Sequence, residues 1–226
     1  MPRAVLYAGP SAWGIGPDSF ARAGVQLHPP ARRGDIDALV AQSAVPGVAI
    51  VCDGVFQCAP ALSHAELYRA LQAGWNLWGV SSLGAIRAWE MRDEGMRGFG
   101  EVYAMFDRFD DFTDDEMCLL HLPEPPWFPA SEALVNVRYG LEQRGRTFGI
   151  GAAAGAIVID ALRELWFGDR TEERIRAVMT EGAGIDPATV TAFLCWLRLN
   201  RVKTIDLRRL LQCRPWLPSC DGAGRH

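Results

Sequence analysis

Short apolar runs and amphipathic stretches alternate through the first half of the chain. Residues 4–8 (AVLYA) read as a buried strand halted by Gly9-Pro10-Ser11. Residues 48–52 (VAIVC) read as a second strand ended by Asp53-Gly54, and residues 76–80 as a third. Residues 13–17 are turn-rich, and the Pro29-Pro30 loop precedes a helix over 35–42. Ser63 with Glu66 three positions on forms a capping box, which opens a helix closed by Gly74. A further helix over 83–92 directly follows the third strand. Strand, helix and strand at this spacing predict parallel βαβ units. An acidic loop over 110–116 leads to a fourth predicted strand at 117–121, and prolines 123, 125, 126 and 129 form a rigid connection.

From Glu132 the pattern is helical, with helices predicted over 132–144, 151–167, 171–181, 187–199 and 203–212. The second is apolar on most sides (AAAGAIVIDAL), which predicts burial among the others. Its leading GIGAAAG mimics a dinucleotide fingerprint, but no strand precedes it and helix packing is the better reading. The expected architecture is α/β. A small, mostly parallel sheet with flanking helices fills residues 1–130, a helical segment over 131–214 packs on it, and a tail over 215–226 frays.

Composition narrows the function classes. The 226 residues are 49% hydrophobic and 22% charged, enough for a real core and unlike a disordered chain. A formal net charge of −4 offers no electrostatic footprint for nucleic acid. No run of 18 apolar residues and no signal peptide is evident, so a cytoplasmic protein is expected. The six cysteines lack C-x-x-C spacing and read as unconnected thiols, Cys213 and Cys220 included. No metal site or cofactor is predicted. Of 23 basic residues, only Lys203 is a lysine.

The sharpest local signal is WGVSSLGAIRAWE at 78–90, where a strand delivers Ser81 and Ser82 to a helix start. A serine there is either an N-cap or a nucleophile beside unpaired helix N–H groups that could hold an oxyanion. Gly84 permits close approach of backbone or substrate. Candidate bases are His64, His121 and Lys203, the last by analogy with Ser-Lys pairs. Asp53, Glu66, Glu90, Asp114, Asp115 and Glu116 form an acidic set in which Asp-Asp-Glu reads as a solvated turn.

Together several stretches resemble the TfuA-like family. These are LYAGPS at 6–11, PPARRGDI at 29–36, CDGVF at 52–56, SHAEL at 63–67 and SSLGAIRAWE at 81–90. GMRGFG at 95–100, DDE at 114–116, VNVR at 135–138, FGDRT at 167–171 and KTIDLRRLL at 203–211 follow in order. The resemblance implies a role beside a YcaO enzyme in peptide backbone thioamidation. It further implies release of sulfur from a thiocarboxylated, ThiS-like carrier by a Ser-Lys pair, with the precursor peptide as another possible contact. The serine carries over onto Ser82. The family's His-Lys-Glu segment reads His64-Ala65-Glu66 here, so that lysine is absent. Either Lys203 of the C-terminal segment is the base that the resemblance implies or this member has lost the pair, and Lys203 is the favoured reading. Arg87 is expected to order the site through Glu90 or Asp53, or to hold a substrate oxygen. Two other readings compete: a non-catalytic adaptor presenting peptide or carrier to YcaO, and a general serine esterase using His64 or His121.

Overall fold

The computed structural model describes residues 4–55 and 59–218. One all-parallel sheet contains β1 (Ala4–Tyr7), β2 (Val25–His28), β3 (Val48–Val51), β4 (Asn76–Val80) and β5 (Arg97–Phe99), in the spatial order β2-β1-β3-β4-β5. Leu6 of β1 lies opposite Leu27 of β2 and Ile50 of β3, and Ile50 lies opposite Trp78 of β4. The helices are α1 (Pro17–Ala23), α2 (Asp35–Gln42), α3 (His64–Gln72), α4 (Leu83–Glu90), α5 (Glu101–Arg108), α6 (Leu134–Arg144), α7 (Ala152–Arg163), α8 (Glu172–Ala177), α9 (Pro187–Leu199) and α10 (Val202–Cys213). The fold is α/β, as the pattern predicts.

Crossover helices cover both faces of a parallel sheet, so its central strands must be apolar throughout. Val5, Tyr7, Ala49 and Val51 pack against Ile36 of α2, Leu67 of α3 and Ile86 of α4. Their neighbours Leu6, Ile50 and Trp78 face the other way, against Phe20 of α1 and Leu207 and Leu210 of α10. The last described helix thus supplies part of the layer that covers one face of the sheet. A separate core joins Val137 of α6, Val158 of α7, Ile175 of α8 and Phe193 of α9.

Four expectations change. The predicted fourth strand at 117–121 does not form. Residues Asp114–Met117 make a 3-10 turn, and His121 pairs with Pro129 only as an isolated bridge. Prolines without N–H groups cannot extend that ladder, and β5 occupies the sheet position beyond β4. The turn-rich 13–17 stretch leads into α1, marked by Pro17 at its start and left-handed Gly24 (φ 72°) at its end. The apolar α7 is not enclosed: Val158, Ile159 and Leu162 are buried, whereas Ile157 is 48% exposed. Its alanines and glycine carry little apolar surface and can face water at small cost. Lastly, Trp216 is buried in the core against α10 rather than frayed. Phe56, Cys58, Cys220 and His226 lie outside the described residues. No described helix is long and apolar enough to cross a membrane.

Candidate active site

The site begins with glycines that let backbones touch. A Cβ on Gly79 would lie 1.9 Å from the Gly84 carbonyl oxygen, and one on Gly84 would lie 1.8 Å from that of Val51. The first turn of α4 therefore rests directly on β3 and β4, where the Gly84 N–H donates to the Cys52 carbonyl (3.2 Å). Such proximity demands an abrupt reversal after β4. Ser81 makes it with a left-handed φ of 66°, and the Ser82 N–H closes the turn onto the Val80 carbonyl (2.8 Å). The buried Ser81 hydroxyl donates to the Lys203 carbonyl at 2.7 Å, tying the turn to α10 across 122 positions of sequence.

Ser82 stands at the N-cap position of α4, but its hydroxyl makes no capping hydrogen bond. It instead lines a cavity of about 290 Å³ beyond the carboxyl ends of β1, β3 and β4. The chain turns from β1 outward to β2 and then back to β3, and crevices at such switch points are where open α/β sheets bind ligands. Pro10, Asp53, Gly54, Cys118 and Lys203 share the lining, with His121, Pro123, Trp166 and Phe167. Ser82 is 5% exposed and Lys203 is 3% exposed.

Lys203, in the first turn of α10, donates from Nζ to the Met117 carbonyl at 2.9 Å rather than to the Ser82 hydroxyl. Its backbone N–H donates to Asn136 Oδ1 at 3.3 Å. No carboxylate pairs with Lys203 among the described residues. Asp53 is only 2% exposed and fully engaged. Its Oδ2 accepts the Gly9 (2.8 Å) and Ser11 (3.0 Å) N–H groups, and its Oδ1 accepts the Ser11 hydroxyl (2.6 Å). It shapes the wall by holding the β1–α1 loop. Burial pushes the Cys118 thiol up to about 11, opposed by the nearby Lys203 charge, so the thiol stays protonated at neutral pH.

The acidic triplet lies behind the cavity, and part of it is not solvated. Glu116 is fully buried and receives Arg138 Nε and Nη2 at 2.9 and 2.5 Å. Burial raises the Glu116 pKa above its ordinary value, with Arg138 opposing. Asp115 pairs with buried Arg170, whose Nη1 also donates to the Asp115 carbonyl (3.0 Å). These pairs fix the turn that presents the Met117 carbonyl to Lys203. VNVR and FGDRT supply the two arginines, so motifs far apart in sequence meet as ion-pair partners.

Other candidates fall elsewhere. His64, Arg87 and Glu90 form a half-exposed cluster outside the cavity lining, with His64 Nε2 2.8 Å and Arg87 Nη1 2.5 Å from Glu90 Oε2. Arg87 Nε donates to the Leu62 carbonyl (3.0 Å), and the guanidinium pairs with Glu90 rather than Asp53. Glu66 completes the Ser63 capping box and accepts the Gly34 N–H at 2.8 Å. His121 lines the cavity with Nδ1 2.7 Å from the Leu122 carbonyl. Fewer helix donors face an oxyanion than expected, because the Gly84 and Ala85 N–H groups are already bonded. The N–H groups of Leu83 and Gly54 have no acceptor among the described residues.

A family model described as TfuA-like protein matches residues 53–171, more than half of the chain. The chain belongs to the TfuA-like family. That family is linked to an accessory role in thioamidation and to YcaO association. No curated protein matches the chain. The segment matched to the TfuA-like model includes Asp53, Ser82, Glu116, Arg138 and Arg170 but stops before Lys203. The lysine enters the cavity from α10, outside the match. Sequence reasoning missed Met117, Cys118, Trp166 and Phe167 as cavity walls and Ser81 as a tie to α10. Phe167 carried a signal through its place in FGDRT and Ser81 through its place in SSLGAIRAWE, whereas Met117, Cys118 and Trp166 lie outside the quoted motifs.

Proposed function

We propose that this TfuA-like protein hydrolyses a thiocarboxylated, ThiS-like sulfur carrier and supplies sulfide to a YcaO partner. The observation that carries the reading is the meeting of Ser82 and Lys203 in one cavity, with the serine hydroxyl not used as a cap. An extended carboxyl-terminal tail enters the crevice and brings its thiocarboxylate carbon to Ser82. Lys203, after giving one ammonium proton to solvent, leaves the Met117 carbonyl and takes the hydroxyl proton as a neutral amine while the oxygen attacks. The Leu83 and Gly54 N–H groups are the donors for the tetrahedral oxyanion. The C–S bond then breaks, and the Lys203 proton accompanies the departing sulfur as hydrosulfide. Water cleaves the acyl-serine, returning the carrier carboxylate and the serine hydroxyl. No cofactor enters the reaction.

The test is sulfide release from a purified thiocarboxylated carrier. Ser82→Ala and Lys203→Ala should each lower the rate by roughly 10²–10⁴-fold. Release at the parent rate from Ser82→Ala would overturn the mechanism. A second reading, a non-catalytic adaptor, is favoured by exposed apolar side chains close in sequence to the cavity lining: Leu120, Leu122, Phe128 and Trp166, the last 53% exposed. Full thioamidation with both variants would select the adaptor.

A further inference from the structure

A second cavity, of about 620 Å³, lies between α1, the loop preceding it and the end of α10. Arg22, Arg208 and Arg214 border it, and none of its described lining residues is acidic. Arg208 Nη2 donates to the Gly14 carbonyl (2.9 Å) and Arg22 Nη2 to the Ser19 hydroxyl (3.4 Å). None of the three has an ion-pair partner among the described residues. Other arginines also lack a carboxylate partner, Arg144 and Arg146 among them, but these three border one concave site that holds no acidic residue in its described lining. An uncompensated cluster of permanent positive charge is thus concentrated in a protein of net charge −4.

The loop adds donors without side chains. Gly14 (φ 78°) and Gly16 both line the cavity, and a Cβ on Gly16 would meet nothing within 4 Å. Neither N–H is bonded among the described residues. Forked guanidinium groups and free backbone N–H groups match the geometry of phosphate oxygens. Concavity and volume suit a small molecule better than a flat protein surface. Ile15 and Leu211 provide an apolar wall for a flat ring.

We propose that this cavity binds a phosphate-bearing small molecule of nucleotide size through Arg22, Arg208 and Arg214. The site is independent of the hydrolytic reading and shares no lining residue with the Ser82 cavity, although the same loop and helix contribute to both. The β1–α1 loop places Pro10 in one cavity and Gly14–Gly16 in the other, and α10 contributes Lys203 to one and Arg208 to the other.

Calorimetric titration of the full chain with pyrophosphate, ADP and a hexaglutamate peptide tests the proposal. Pyrophosphate and ADP should both bind. Arg208→Gln and Arg214→Gln should each weaken binding by at least about tenfold, given the strength of charge-assisted hydrogen bonds. Arg198→Gln, an exposed arginine paired at a different surface, should leave binding unchanged. Tighter binding of ADP than of pyrophosphate assigns a role to the apolar wall, and equal binding assigns recognition to the phosphates; both support the site. No binding of either phosphate compound at millimolar concentration overturns it. So does equal affinity in the arginine variants, or binding of the acidic peptide alone.

Discussion

Ser81 and Ser82 are adjacent and identical in type, yet the fold gives them different tasks. The Ser82 hydroxyl faces the cavity without a capping bond, whereas Ser81 takes the left-handed turn and holds the Lys203 carbonyl. Ser81→Ala should therefore lower stability by about 1–2 kcal/mol through loss of a buried hydrogen bond. In the proposed reaction it should reduce kcat while leaving KM near the parent value, because α10 loses its tie to the turn and the carrier contacts remain. Steady-state sulfide release and denaturant unfolding check the two effects. Glu116→Gln neutralises the main partner of Arg138 but leaves Asp111 as a second carboxylate and an amide oxygen as acceptor, so a loss of about 1–3 kcal/mol is expected. Urea unfolding measures that loss. Lys203 was legible because it is the chain's sole lysine, and Ser82 because it begins a helix behind a strand. Ser81's tie and Glu116's burial were not, since each depends on a partner distant in sequence.

At the scale of elements, helix α4 is seated by backbone contact. Gly84→Ala would place a methyl group 1.8 Å from the Val51 carbonyl oxygen, a clash with backbone that no rotamer change relieves. We expect a loss of about 3 kcal/mol or more. Gly155→Ala in α7 is the contrasting case, because its Cβ would meet only Leu141 Cδ1 at 3.9 Å. That substitution should stabilise the protein by roughly 0.5–1 kcal/mol through helix propensity. Thermal unfolding of the two variants should move in opposite directions. Apolar periodicity placed β1, β3, β4, α2 and α9 well. It failed at α7, where small apolar residues imitate a buried helix, and at β2, whose Gln26 and Leu27 are exposed at the sheet edge.

Across the whole molecule, α10 links the layers through one buried carboxylate. Asp206 Oδ1 and Oδ2 accept the Glu101 (3.0 Å) and Val102 (2.9 Å) N–H groups at the start of α5. A Cβ on Gly100 would lie 2.4 Å from the Asp206 carboxyl carbon, so that glycine makes room for the contact. Burial raises the Asp206 pKa from 3.8 to about 6, with the two backbone donors opposing. The folded state therefore binds this proton more tightly than the unfolded state. Its contribution to stability is complete below the unfolded value and is lost as pH rises through about 6. The change amounts to about 3 kcal/mol. Asp206→Asn should remove this component, giving a flatter stability profile between pH 4 and 7 in urea titrations.

Local pattern by itself determined the α/β class, three of the strands, most helices and the serine at the strand-to-helix junction. Those features follow from chain-local causes: unbroken apolar runs, capping residues, and glycine or proline stops. It also singled out Lys203, through composition and family resemblance. Only the tertiary structure decided which groups share a cavity. It brought Lys203 from the last helix to the Ser82 crevice, sent His64 and Glu90 to a separate surface, and turned Asp115 and Glu116 from an expected solvated loop into ion pairs. It also gathered three unpaired arginines around a second cavity. Burial and pairing depend on residues more than a hundred positions apart, as with Ser81 and Lys203, and no window of sequence contains both partners.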